Sequence, residues 1–282
     1  MASRSKKKAS RRAAELLAPW QPQGKSVKLS KFDPKASPYS SGGKDRDVEL
    51  VDALALEIDE LQDLLFADRR FKLLIVLQGL DAAGKDGTIR GVFGRVSPLG
   101  VHTTSWKAPT EDERDHDFLW RIHQRVPAAG ELVIFNRSHY EDLLVPVVNG
   151  DLDAGQLRTR LRQINDFERL LTETGTVVLK FMLHISRGEQ RERLQARLDD
   201  PAKVWKFRVD DLAVRKQWGD YMKAYETLLP ATSTNAAPWT IVPADSKTHR
   251  NLMIATLVRD KLRSLGLRYP PPDPGLDGIK VT

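Results

Sequence analysis

The sequence predicts an α/β domain built on a mostly parallel five-stranded sheet, and three observations carry that prediction. Short apolar or β-branched runs alternate with helical periodicity along most of the 282 residues. Alternation of this kind lays helices over both faces of a parallel sheet. A loop rich in glycine, "GLDAAGK" at 79–85, lies between the first such run and a helical pattern, where backbone N–H groups at a helix start converge on anions. With 40% hydrophobic residues the chain can bury one sizeable core.

Residues 1–44 read as a basic, flexible arm and linker. Residues 1–30 hold eight basic groups (Arg4, Lys6, Lys7, Lys8, Arg11, Arg12, Lys25, Lys28) against one acid, Glu15, whereas residues 31–282 hold 37 groups of each sign. The net charge of +7 therefore belongs to the arm, and a polyanion site in the body must come from local segregation of charge. A Pro/Ser/Gly-rich link, "KFDPKASPYSSGGKD", follows the arm. Val48, Val51, Leu54, Ile58, Leu61 and Leu65 then repeat at helical spacing.

Strands are expected at 71–78, 101–106, 131–136, 176–185 and 239–243. Helical segments are expected near 85–96, 111–125, 154–173, 187–198, 211–229 and 247–265, all in one domain spanning 45–270, with a tail at 271–282. The stretch "RLDDPAKVWKFRVDD" at 197–211 interrupts a helical pattern with Pro201 and mixes basic with aromatic residues; it reads either as a mobile flap or as a surface connection. No apolar run reaches the roughly 20 residues of a membrane span, and the first 20 residues lack the apolar centre of a secretory signal. With no cysteine, disulfide frameworks and thiolate metal sites are excluded and a cytoplasmic address is expected.

Gly79, Gly84 and Lys85 satisfy G-x-x-x-x-G-K. Glycines let the backbone, Ala82 and Ala83 included, approach phosphate oxygens, and Lys85 brings a positive charge to them. Asp86 and Gly87 open the helix that follows. A Ser or Thr hydroxyl at 86 would bind Mg²⁺; Asp86 cannot act in the same way without placing a full negative charge beside the phosphates, so another group must hold the metal. Asp81, inside the loop, is the nearest candidate, and a turn-stabilising Asp is its plainer reading.

"ELVIFNRSHYEDLLV" has the form strand, polar turn, helix, and puts Asn136 to Asp142 at the C-terminal end of a strand, the end at which open α/β sheets bind ligands. Arg137 offers a planar fork for phosphate. Glu141 or Asp142 can enter a metal shell; alternatively Ser138 caps the next helix, with Glu141 closing a capping box. Thr110 to Glu113 is a capping box in its own right, and Lys107 just before it is a candidate phosphate contact. His116 and His123 lack metal-ligand spacing and read as solvated helix positions.

"GLDAAGKDGTIRGVFGRVSPLGV", "SWKAPTEDE", "DFLWRIH", "IFNRSHYEDLLV", "FMLHISRGEQRERLQARLDDP", "VWKF" and "APWTIVPADSK" together resemble the second polyphosphate kinase family over about residues 45–265. The resemblance implies a P-loop kinase-like (thymidylate-kinase-like) three-layer sandwich with a helical lid at 197–211. It implies Mg²⁺, with Mn²⁺ as an alternative, and phosphoryl transfer between inorganic polyphosphate and AMP, ADP or ATP. Asp81 and Lys85 match the family's loop acid and lysine, and Arg137 its strand-end arginine. Arg197 falls on the arginine of a basic lid to which Lys203 and Lys206 add charge. Asn136 departs from the Asp found there in many members, which weighs against a metal ligand at that position. Glu141, where members specific for nucleoside diphosphates carry Asn, resembles the subgroup that accepts both AMP and ADP, with Asp81 and Glu141 as the expected metal pair. A homo-oligomer is expected, with neither nucleic acid nor membrane as partner. The competing expectations are an ATP-dependent small-molecule kinase on the same fold and a noncatalytic polyanion-binding protein.

Overall fold

A computed structural model describes residues 14–22, 24–276 and 279–281; the basic groups up to Arg12 lie outside them. The order of elements is α1 (Gly43–Asp68), β1 (Lys72–Gln78), α2 (Lys85–Phe93), β2 (Val101–Ser105), α3 (Glu111–Asp115), α4 (Trp120–His123), β3 (Leu132–Asn136), α5 (Glu141–Asn149) and α6 (Ala154–Glu173). Then come β4 (Thr176–His184), α7 (Arg187–Leu198), α8 (Asp210–Lys216), α9 (Trp218–Thr232), β5 (Trp239–Pro243) and α10 (Lys247–Ser264). The strands lie in the order β2-β3-β1-β4-β5, and every neighbouring pair is parallel.

β1 is apolar on both faces because both faces are covered: all its residues but Lys72 are buried. On one side Leu73, Ile75 and Leu77 pack with Val51, Ile58 and Leu65 of α1 and with Met253 and Val258 of α10. On the other, Leu74 and Val76 join Ile164 and Phe167 of α6, Tyr225 and Leu228 of α9, and Trp239 of β5. These three layers are the expected sandwich. The chain leaves β1 for the edge strand β2, returns to β3 beside β1, and then crosses to β4 on the other side. That reversal opens a crevice at the C-terminal ends of β1, β3 and β4.

The five strands fall within a residue or two of their expected bounds. Two helical segments are broken: 111–125 becomes α3 and α4, and 211–229 divides at Gln217 into α8 and α9. Val48, the first of the helically spaced apolar residues of α1, is 48% exposed, while Asp47 beside it is buried, bonded to Ser40 and Thr248.

The described part of the linker differs from the flexible segment expected. Val27 and Leu29 are buried, Glu226 of α9 accepts from Leu29 N at 2.8 Å, and Asp245 N just past β5 donates to the Pro34 carbonyl at 3.1 Å. The segment covers the β5 edge, which would otherwise present unpaired backbone groups. Its few apolar residues follow no period, so their burial leaves no mark in the sequence pattern.

Candidate active site

The loop after β1 takes its shape from contacts with distant elements. At Gly79, φ is +150° and a Cβ would stand 2.8 Å from the Leu183 carbonyl oxygen of β4. At Gly84, φ is +111° and a Cβ would stand 1.9 Å from Arg250 Nη1. Ala82 itself adopts a positive φ of 64°. Ala83 N donates to Leu80 O, and Thr88 N to Gly84 O at 2.8 Å, so the loop runs directly into α2. The Lys85 ammonium is buried and donates to the carbonyls of Gly79 at 2.7 Å and Leu80 at 3.3 Å. Burial, and after it Arg137, lower its pKa to about 8, against the pull of Asp81, Glu141 and Asp86.

β3 delivers the second group of residues. Arg137, just past the strand, has a positive φ of 65° and donates its N–H to Leu77 O of β1. Its guanidinium lies between two carboxylates: one amino group donates to Asp81 of the loop, the other to Glu141 Oε2 at 2.9 Å. Burial alone disfavours the charge on Arg137, but Glu141 and Asp81 outweigh it and raise the pKa. Gln78 Nε2 of β1 donates to Glu141 Oε1 at 3.1 Å. Sequence separations of 56 and 63 residues thus close into one cluster at the crevice. Asn136 Nδ2 donates to Asp86 Oδ1 at 2.7 Å, so the two unusual residues are partners: an Asp at 136 would face Asp86 with like charge.

Several expected roles change. Glu141 closes no capping box; α5 starts without a side-chain cap, and Ser138 Oγ accepts from Tyr140 N. Asp142 is committed to the buried Arg121, accepting two bonds at 2.9 and 3.1 Å. The Thr110–Glu113 box is present. Lys107 is exposed past β2, two strands away from β1, and its carbonyl accepts from Arg121 at 2.9 Å. Within 197–211, Arg197 lies 3.9 Å from Asp211 and Lys203 2.5 Å from Asp200. Gly87 lies beside Arg250 Nη2. The Lys206 side chain lies outside the described residues.

A sequence profile of the polyphosphate kinase 2 family matches residues 42–266. The chain belongs to that family. It is 46% identical to an AMP/ADP-polyphosphate phosphotransferase of Meiothermus ruber over 93% of its own length and 97% of the relative's. It is 38% identical to an ADP-polyphosphate phosphotransferase of Rhodopseudomonas palustris over 89% and 91%. Among solved structures, polyphosphate kinase 2 from Arthrobacter aurescens TC1 superposes with a TM-score of 0.88 at 44% identity, covering 93% of this chain and 92% of that one.

Within this family member, three loop-shaping residues escaped the sequence reading. Gln190 Nε2 of α7 donates to Asp81 O at 3.0 Å. Arg193 donates to Ala82 O and Ala83 O from one amino group and to Ala244 O and Asp245 O from the other. Arg250 of α10 adds a bond to Ala83 O at 3.3 Å, and burial followed by the neighbouring Arg193 lowers its pKa to about 9. Together they hold the loop carbonyls from behind and concentrate positive charge beneath it. Arg193 lies in a quoted family segment, but its loop partners are 110 and 111 residues away and its other two 51 and 52. Asp211 lies beside Arg197; burial, and then Asp81, raise its pKa against Arg197 and Arg137.

Proposed function

We propose that the chain transfers the terminal phosphoryl group of inorganic polyphosphate to AMP and ADP, and in reverse from ATP, with Mg²⁺ or Mn²⁺. The observation that carries this reading is the cluster of Lys85, Asp81, Arg137 and Glu141 at the mouth of the glycine loop. A nucleotide phosphate is already largely ionised near neutral pH, so the reaction needs positioning and neutralisation of charge rather than a general base. An acceptor phosphate oxygen attacks the terminal phosphorus of the chain in line; the bridging oxygen leaves with the polyphosphate shortened by one unit. The N–H groups of Ala82 and of Gly84 to Gly87 and the Lys85 ammonium cradle the transferring group, and Arg137, held at the loop mouth by Asp81 and Glu141, adds positive charge beside its equatorial oxygens. Arg197 and Lys203 of 197–211 supply further positive charge for the rest of the chain.

Asp81 and Glu141 are hard oxygen donors, and among the described residues no cluster of three or more metal-ligating side chains exists. Two carboxylates that leave further positions for phosphate oxygens and water suit Mg²⁺. Bound there, the ion would neutralise charge on bridging phosphate oxygens.

The test is incubation of the purified chain with long-chain polyphosphate and Mg²⁺, with ADP and AMP in separate reactions and no other phosphoryl source. ATP is expected from ADP, and ADP from AMP, while a Lys85→Ala preparation controls for contaminating adenylate kinase. Transfer from ATP to another small molecule with none from polyphosphate would favour the small-molecule kinase; binding of polyphosphate without any transfer would favour the noncatalytic reading.

A further inference from the structure

Behind the Arg137–Glu141 turn lies a set of buried ionisable groups that the phosphoryl-transfer chemistry does not use. Lys180 is the one charged residue inside β4, a strand otherwise apolar from Val177 to Leu183, and its side chain is fully buried. Its ammonium donates to Glu168 Oε2 of α6 at 2.6 Å, to the Thr232 carbonyl at the end of α9 at 2.7 Å, and to the Tyr140 hydroxyl at 3.0 Å. It also lies 5.5 and 5.1 Å from the ring centres of Tyr140 and Trp239. The other oxygen of Glu168 accepts from the Tyr140 hydroxyl at 2.7 Å and lies 3.3 Å from His139 Nε2.

All three donors of the ammonium and both carboxylate oxygens are occupied. Burial works against each charge; Lys180 holds the Glu168 carboxylate ionised and its pKa low. A buried ion pair is weak support for stability, since apolar residues of the same volume often serve as well. What it supplies is one permitted arrangement of the groups bonded to it. Those groups include His139 and Tyr140, the two residues immediately before Glu141 and the second and third after Arg137. Tyr140 N donates to Ser138 Oγ, Glu141 N to Ser138 O, and Leu144 N to Tyr140 O at 2.8 Å, so the turn and the first turn of α5 are built around the Tyr140 backbone. A rotation of Tyr140 would therefore carry Glu141 and Arg137 with it.

We infer that the Lys180–Glu168 pair, acting through the Tyr140 hydroxyl, fixes the Arg137–Glu141 turn in the geometry used for transfer. Tyr140, Glu168 and Lys180 are on this view positioning residues, removed from the reacting atoms by one link. The inference rests on the function proposed above.

The test is a double-variant cycle measured with polyphosphate, ADP and Mg²⁺ well below the melting temperature. Tyr140→Phe removes one hydroxyl, keeps the ring against Trp239, and leaves Lys180 and Glu168 paired. It is expected to lower kcat/KM about tenfold, the scale on which supporting partners of a reactive site act, mainly through kcat. In the Glu141→Gln background the same substitution is expected to cost less than about threefold, because the carboxylate that the hydroxyl positions has already been neutralised. A purely structural role gives equal losses in both backgrounds, and that result, or unchanged kcat/KM in Tyr140→Phe, overturns the inference. If Tyr140→Phe fails to fold, the paired replacement Glu168→Gln/Lys180→Met enters the same cycle with the same criteria. A wild-type chain inactive with both nucleotides would instead overturn the proposed function.

Discussion

Replacing Gly84 by alanine probes how the loop is held from behind. The new Cβ would stand 1.9 Å from Arg250 Nη1 and 2.7 Å from Arg250 Cζ. That guanidinium is tied to Ala83 O and Asn251 Oδ1, and Arg250 is only 2% exposed, so its head group has little room to move. Two separable penalties result. Holding a side chain at φ +111° costs about 1–3 kcal/mol, and the overpacking costs about 1–3 kcal/mol more. Their sum, roughly 2–6 kcal/mol, is a large share of the 5–15 kcal/mol typical of a folded protein. Removing the clash in Gly84→Ala/Arg250→Ala relieves the second penalty and leaves the first, because Arg193 still donates to Ala83 O at 3.1 Å. Urea denaturation of both single variants and the double variant measures this directly. The double variant should be more stable than the sum of the single losses predicts, by about 1–3 kcal/mol. Additivity within about 0.5 kcal/mol would refute the argument that Arg250 and Gly84 share one packed position. Turnover of Gly84→Ala, assayed where the protein is folded, should fall about a hundredfold as the loop N–H groups shift.

Three further predictions concern charge. Because burial lowers the Lys85 pKa from its usual 10.5 to about 8, kcat/KM should fall above about pH 8 as the ammonium is lost. Between pH 8 and 10.5 the unfolded chain binds more protons at this lysine than the folded one, so its contribution to stability rises with pH across that window. A flat kcat/KM to pH 9.5, or a decline that tracks unfolding, would remove the charge on Lys85 from the mechanism. Glu141→Gln should lower kcat/KM for AMP about tenfold more than for ADP, equivalent to roughly 1.4 kcal/mol, since with the proposed role of Glu141 as a cation ligand the shorter acceptor depends more on that cation; equal losses with the two nucleotides exclude a role in acceptor choice. Arg197→Gln, combined with Lys203→Gln, should raise the KM for polyphosphate and flatten the salt dependence of kcat/KM, because fewer counterions are displaced. An unchanged KM and salt slope would leave 197–211 as a surface connection.

Much of the fold was legible because its signals are local. An apolar run such as Leu73–Leu77 marks a strand covered on both faces, and the spacing of Gly79, Gly84 and Lys85 marks a tight turn into a helix. The breaks at 116–119 and Gln217 were missed because helical periodicity continues across them, and the burial of Val27 and Leu29 was missed because two apolar residues in an irregular segment have no period. Lys180 did leave a signal: a single charge within a run of apolar strand residues must find a partner or remain exposed. Its partner Glu168, in an otherwise ordinary amphipathic helix, left none.

The sequence by itself determined the strand–helix alternation, the glycine loop into α2 and the polar turn after β3, since each depends on residues within a few positions of one another. Only the tertiary structure decided how they meet. Alternation does not specify the order β2-β3-β1-β4-β5, and that order brings Asp81 against Arg137 of the turn after β3. It also sets Arg193 and Arg250 behind loop carbonyls more than 100 residues away and Asn136 against Asp86. A hydrogen bond acts over about 3 Å, so the partners of these side chains are fixed by which strand ends lie next to each other in the folded sheet, a property absent from any local stretch of sequence.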